Sequence, residues 1–300
     1  MNRPEGTIDQ MLTPVTIEHL DIINHYLNSY PQEDCDFNIN VVMSWGVNFG
    51  VEYAIYHERL IMFNPTYNFL LFPVGHFFTA EELYILNNCC EKVHKNVEIM
   101  VVPREYIEAT TDLERYFTIY NDIDWNDYVY SVDSLVNLPG KKLAKKKNLI
   151  SQFLRLYPDY HSKSISAEDY QEIIDFCHYW KKFHNTEDNH LIAEFGALKH
   201  IFQNWNHLPC QGLKIYVQDH LCAFSIFSPQ TKEMATVHFE KYDPIIKGAG
   251  QIINQETAKL LYPKFIYVNR EQDMGIEGIR QAKRSYQPIR QVEFYRLKSK

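Results

Sequence analysis

One succession of elements occurs twice along the chain, and it restricts the fold more than any single motif does. Residues 13–30 open at Thr13-Pro14 and place Ile17, Leu20, Ile22, Ile23 and Leu27 on a helical stripe, with Pro31 as its stop. β-rich runs follow at 41–47 (VVMSWGV), 51–56, 60–63 and 68–74, parted by His57-Glu58-Arg59 and Asn64-Pro65-Thr66, which is the pattern of an antiparallel meander. Thr79 with Glu82 forms a capping box for a helix running through Lys95, with Leu83, Leu86 and Val93 on one side, and a strand returns at 97–102. The second half repeats the order: helices at 167–184 and 190–204, strands at 213–217, 221–227 and 234–239, a small-residue loop, a helix from about Gln251, and a strand at 265–268. Element order recurs without residue identity, so two related α/β units are expected.

A chain of 300 residues is long enough for two such units, since domains run to about 150 residues. Aromatic residues make up 14 % and charged residues 23 %, the profile of a folded chain. The net charge of −8 argues against a protein that coats nucleic acid, although a local basic patch can still meet a structured one. Residues 1–16 lack the apolar core of an export signal and no window reaches the length of a membrane span, so a cytoplasmic protein is expected. Six cysteines without a C-x-x-C pair read as reduced thiols. Thirteen histidines without zinc spacing lead us to expect no structural metal.

Three stretches carry candidate chemistry. Lys247-Gly248-Ala249-Gly250 lies between a strand and a helix, where unpaired N–H groups, glycines and a lysine suit a phosphate; the plain alternative is a tight turn into the helix. Residues 127–157 contain Pro139-Gly140 and then a helix with Lys141, Lys142, Lys145, Lys146 and Lys147. Leu143, Ile150, Phe153 and Leu154 can face a core there. Stacked lysines repel one another, so the strip reads either as a solvated face or as a dock for RNA phosphates. In residues 269–288, Asp273 is a candidate N-cap, Ile276, Ile279 and Ala282 form the expected buried side, and Arg280, Lys283 and Arg284 share another face. A closing strand is expected at 292–297.

VEYAIYHERLIMF, YVYSVDSLVNLPGKKLAKKKNLISQF and VNREQDMGIEGIRQAKRSYQP together resemble an uncharacterised bacterial family related to the C-terminal domain of phosphatidylglycerol lysyltransferase. The resemblance implies an α/β (α+β) fold of two tandem GNAT-like acyltransferase domains, each a mixed, mostly antiparallel sheet flanked by helices. It also links the chain to Fem-type aminoacyltransferases, which take their acyl group from aminoacyl-tRNA, where ordinary GNAT enzymes use acyl-CoA. The ending GIRQAK matches the lysyltransferase helix whose lysine lies near the donor, which implies Lys283 with Arg280 as its companion. KGAG falls where GNAT enzymes hold pyrophosphate, so Lys247, Gly248, Ala249 and Gly250 are the implied donor-binding residues. Ile245 stands where those enzymes carry Gln or Arg, a departure that weakens the acyl-CoA version.

Amine acylation asks for a base and for an acid at the leaving group. Glu240, at the end of the strand before KGAG, and Tyr286, after the last helix, are the candidates. The expected division is 1–126 as a structural GNAT-like domain, 127–157 as a connecting strand and basic helix, and 158–300 as the domain with the donor site. The expected function is transfer from acyl-CoA or aminoacyl-tRNA to an amine or hydroxyl on a small molecule or lipid. The alternative is a GNAT-fold protein that binds CoA, a nucleotide or a tRNA end without chemistry.

Overall fold

The computed structural model describes residues 8, 11–91, 96–183 and 188–300. Residues 1–7, 9 and 10 of the segment read for an export signal, and the expected helix positions Val93, Lys95 and His184, lie outside the described residues. Fourteen strands run in chain order among those residues: β1 Thr13–Pro14, β2 Glu52–Tyr56, β3 Arg59–Asn64, β4 Phe69–Val74, β5 Glu98–Val102, β6 Phe117–Asn121, β7 Asp127–Ser131, β8 His161–Ser164, β9 Gln211–Val217, β10 His220–Pro229, β11 Met234–Tyr242, β12 Tyr267–Asn269, β13 Arg290–Val292 and β14 Tyr295–Ser299.

They form two seven-stranded sheets, β1-β2-β3-β4-β5-β14-β6 and β13-β7-β12-β11-β10-β9-β8. Each is antiparallel apart from one parallel pair at the equivalent place, β4 with β5 and β11 with β12. The sheets exchange a strand. β14, the end of the chain, lies between β5 and β6 (Tyr295 opposite Val102 and Asn121). In return β7 lies between β12 and β13 (Tyr130 opposite Val268, Val129 opposite Arg290).

Packing depends on which faces are apolar. One core joins Phe63, Leu70 and Ile99 of the first sheet to Ile173, Leu198, Phe224 and Phe239 of the second half. A second gathers Tyr128, Tyr130, Val268, Leu261 and Tyr286. In a third, Leu143, Ile150 and Phe153 of the basic helix Gly140–Leu156 meet Ile215, Ile252 and Ile253; Leu154, expected inside, is 43 % exposed.

Some local readings hold and others do not. The Thr79 capping box is formed: Glu82 Oε2 accepts the Thr79 N–H at 2.9 Å, and the Glu82 N–H donates to Thr79 Oγ1 at 3.2 Å. The run 41–47, expected as strand, is helical, Ile39–Val41 continuing into a π-turn at Val42–Gly46. Asn38 caps it through Oδ1 and Ser44 Oγ donates back to the Asn40 carbonyl, while Val42 and Met43 are buried. A short apolar run has no period that separates helix from strand, and local side-chain bonds decided it. The expected closing strand is two: β13 and β14 are parted at Glu293-Phe294, where the Phe294 N–H donates to Asn126 Oδ1 at 2.8 Å.

Candidate functional site

β11 and β12 pair only from Met234 opposite Tyr267 to Thr236 opposite Asn269, and β11 then runs on to Tyr242 with β10 as its partner and no longer β12. The cause is in β11. Against β10 the register shifts between Val237 and Phe239, leaving His238 as the extra residue of a β-bulge, which bends the strand and re-aims the side chains beyond it. Into the resulting opening come Glu240 from β11 and Arg270 from just past β12, with Arg270 Nη2 at 2.6 Å from Glu240 Oε1. Their side chains are only 12 % and 15 % exposed, respectively. Burial works against the guanidinium charge more than any one neighbour favours it, but Glu240 together with Tyr130 and Tyr286 outweighs it and Arg270 is held above its usual range. Arg270 also faces the rings of Tyr130 and Tyr286, 5.8 and 5.4 Å away.

Lys283, from the helix Glu277–Arg284, enters the same opening and donates to the carbonyls of Arg270 and Glu271, the latter at 3.1 Å. Burial, and then the neighbouring Arg270 charge, bring its pKa down to about 8. Tyr130 Oη donates to the Lys283 carbonyl at 2.9 Å, tying the helix to β7. Tyr286 lies buried beyond the helix, its phenol pushed up by burial, with Lys146 Nζ 4.2 Å over its ring. Beside Glu240 is a cavity of about 10 Å³, bordered also by Asn254, Thr257 and Leu135. Glu240 Oε2, Asn254 Oδ1 and Thr257 Oγ1 have no hydrogen-bond partner among the described residues.

A second polar group adjoins the opening. His238 Nδ1 is 3.1 Å from Glu271 Oε1 and its Nε2 is 2.7 Å from Ser228 Oγ. Ser228 in turn donates to Asn38 Oδ1 at 3.1 Å, so a residue of the first half completes the chain of contacts. Next to it the loop before Asn38 is stapled down: Gln230 Nε2 donates to the carbonyls of Gln32 and Asp34, and Asn269 Nδ2 to that of Glu33, each at 2.9 Å. Asp34, Cys35 and Asp127 are buried there.

With this geometry the relationship to known proteins is informative. Residues 28–298 match the family described as phosphatidylglycerol lysyltransferase, C-terminal. The chain belongs to this family. A crystal structure of a conserved protein of unknown function from Bacteroides thetaiotaomicron is 29 % identical, with 96 % of this chain and 99 % of that one superposed at a TM-score of 0.88. The C-terminal domain of an Agrobacterium fabrum protein assigned as a lysylphosphatidylglycerol synthetase is 12 % identical, covering 94 % and 91 % at 0.66. A tandem GNAT protein from the clavulanic acid biosynthesis pathway is 7 % identical, covering 96 % and 98 % at 0.52. An uncharacterised protein of Mycoplasmoides gallisepticum is 23 % identical over 199 residues, 65 % of this chain and 61 % of that relative's length. The fold of this family member is two tandem GNAT-like domains.

Of the residues singled out from sequence, Lys283, Glu240 and Tyr286 meet around Arg270. Arg280 is engaged elsewhere: its guanidinium is bound to Asp273 at 2.8 Å and to Asp124, and Tyr128 Oη donates to the same Asp273 at 2.6 Å. Asp273 therefore anchors Arg280, and Ile276 occupies the cap position of the helix. The side of that helix expected to be buried is not: Ile276 is 47 % exposed and no residue of the helix is fully buried. The loop glycines serve close packing. A Cβ on Gly248, which has φ +87°, would stand 2.6 Å from the Leu149 carbonyl oxygen, and one on Gly250 would stand 2.7 Å from the Tyr242 ring. Ala249 is buried, whereas Lys247 is exposed.

On the basic helix, Lys141, Lys142, Lys145 and Lys147 are exposed while Lys146 turns inward to Tyr286. Arg270, Glu271, His238 and Ser228 were not singled out from sequence. A signal existed in Thr236-Val237-His238-Phe239-Glu240, where polar residues alternate with apolar ones along the strand and so share one face of it. Among the described residues no helix is long and apolar enough to cross a membrane.

Proposed function

We propose that the chain transfers an activated acyl or aminoacyl group to an amine or hydroxyl acceptor at the opening between β11 and β12. The observation that carries this reading is Lys283, a half-buried ammonium that donates to two backbone carbonyls, with the Tyr128 ring 5.9 Å away. An ammonium has three N–H donors, so one remains for a donor phosphate or for the oxyanion that develops as the acceptor attacks the carbonyl carbon. In that scheme the free oxygen of Glu240 takes the acceptor's proton, and the phenol of Tyr286, kept protonated by burial, donates to the leaving oxygen.

Aminoacyl-tRNA is the favoured donor class. Ile245 stands at the position where the pyrophosphate loop would need Gln or Arg, and the small residues of that loop are packed against Leu149 and Tyr242. The helix resting on that loop carries the exposed lysines 141, 142, 145 and 147, which suit RNA phosphates. Family membership favours a lipid acceptor. The alternative, a protein that holds such a ligand without chemistry, rests on the same close packing of the loop.

The test incubates the purified chain with lysyl-tRNA labelled in lysine and phosphatidylglycerol vesicles, and separately with acetyl-CoA and amine acceptors. Label should pass to lipid, and Lys283→Ala should reduce the rate by about 100-fold, the usual worth of a preorganised oxyanion donor. Salt-dependent tRNA binding without transfer to any acceptor supports the alternative. Transfer that Lys283→Ala leaves untouched removes the proposed site.

A further inference from the structure

We propose that Asp34, Cys35 and Asp127 form a binding site for a divalent transition-metal ion of the zinc class, between the loop before Asn38 and the start of β7. A carboxylate oxygen of each aspartate and Cys35 Sγ lie within 4.8 Å of one another. The three residues are 5 %, 3 % and 1 % exposed. The two carboxylates are anchored in the same manner. Asp34 Oδ1 accepts the Asp36 N–H at 2.9 Å, and Asp127 Oδ2 accepts the Cys35 N–H at 2.8 Å and Asn269 Nδ2 at 2.6 Å.

That leaves one oxygen of each. Asp127 Oδ1 faces Cys35 Sγ at 3.4 Å, and Asp34 Oδ2 is buried with no hydrogen-bond partner among the described residues. Gln272 Oε1 is also 3.4 Å from Sγ and completes a four-atom set. A tetrahedral ion with metal–sulfur near 2.3 Å and metal–oxygen near 2.0 Å needs its sulfur and oxygen ligands about 3.5 Å apart; Asp127 Oδ1 and Gln272 Oε1 meet that spacing, and the Asp34 carboxylate is within 4.8 Å.

The donor types narrow the ion. A thiolate with two carboxylates disfavours magnesium and calcium and suits zinc or cobalt. The charge has the right sign for a cation: Asp36 and Glu271 add their carboxylates to those of Asp34 and Asp127 around Cys35, so the surroundings of the three ligands are strongly acidic. An unpaired buried carboxylate is costly, and a cation removes that cost. Binding replaces the Cys35 S–H bond by a sulfur–metal bond and releases the proton to solvent. The ion would pin the first-half loop to Gln272, the residue after Glu271, whose carbonyl Lys283 holds.

Calorimetric titration of the chelator-treated full chain with Zn²⁺, and with Co²⁺ as an optical probe, tests the proposal. Wild type should bind one ion per chain, rise in Tm, and show thiolate-to-cobalt charge-transfer absorption. Cys35→Ser should lose that absorption and bind at least about tenfold more weakly. Asp34→Asn keeps the shape of a side chain whose Oδ2 holds nothing in place, and should weaken binding while circular dichroism stays native. Binding below one ion per chain overturns the site, as does absorption that survives Cys35→Ser or a folded Asp34→Asn that binds as wild type does.

Discussion

Lys283 is a base whose environment disfavours its charge. Its pKa falls to about 8, so the ammonium is complete below that pH and is lost as pH rises through it. If the charge serves transfer, the rate should fall above pH 8, and Lys283→Arg, whose guanidinium stays charged, should abolish that limb of the pH–rate profile. Stability runs the other way. A free lysine titrates near 10.4, so between about 8 and 10 the unfolded chain binds more protons than the folded one, and the Lys283 contribution to stability rises with pH across that window. Comparing Tm against pH for wild type and Lys283→Met checks this sign. Glu240 matters to the fold through Arg270: Glu240→Gln leaves a buried guanidinium without its counter-charge and should lower stability by about 3 kcal/mol in urea unfolding. A loss under about 1 kcal/mol would mean that Arg270 finds other solvation.

At the scale of elements, the helix Ala249–Leu261 and the basic helix are pressed together at Gly248. The left-handed φ and the Leu149 carbonyl both oppose a Cβ there, so Gly248→Ala should cost about 2 kcal/mol or more. Lys247→Ala, one residue earlier and exposed, should stay within about 0.5 kcal/mol of wild type in stability. If the exposed lysines meet RNA, replacing 141, 142, 145 and 147 by Gln should flatten the slope of log affinity against log salt by about 3, read from filter binding over a salt series. The Thr79–Glu82 cap was legible because both partners lie within one turn. The helical run 41–47 was not, because its register is imposed by Asn38 and by burial rather than by any period of its own.

For the whole molecule, the strand exchange is the governing feature. Residues 1–126 by themselves would leave β5 and β6 without β14 between them, so that fragment should show no cooperative transition by calorimetry, whereas the full chain should. The core that joins Phe63 to Phe224 strengthens this expectation. Adjacent residues determined much by themselves: the types of most elements, the Thr79–Glu82 cap, the repeated order that matches a tandem GNAT-like fold, and the GIRQAK and KGAG segments that drew attention to Lys283 and the loop. Tertiary structure alone decided which strand enters which sheet, that Arg280 serves Asp273 while Arg270 meets Glu240, and that Cys35 reaches both Asp127 and Gln272. Those partners stand 30, 92 and 237 residues apart in Arg270–Glu240, Cys35–Asp127 and Cys35–Gln272. Periodicity and capping express interactions within a turn or along one strand, whereas Arg270–Glu240 needs β11 and β12 brought side by side, and the Cys35 contacts need the first-half loop packed against the second sheet.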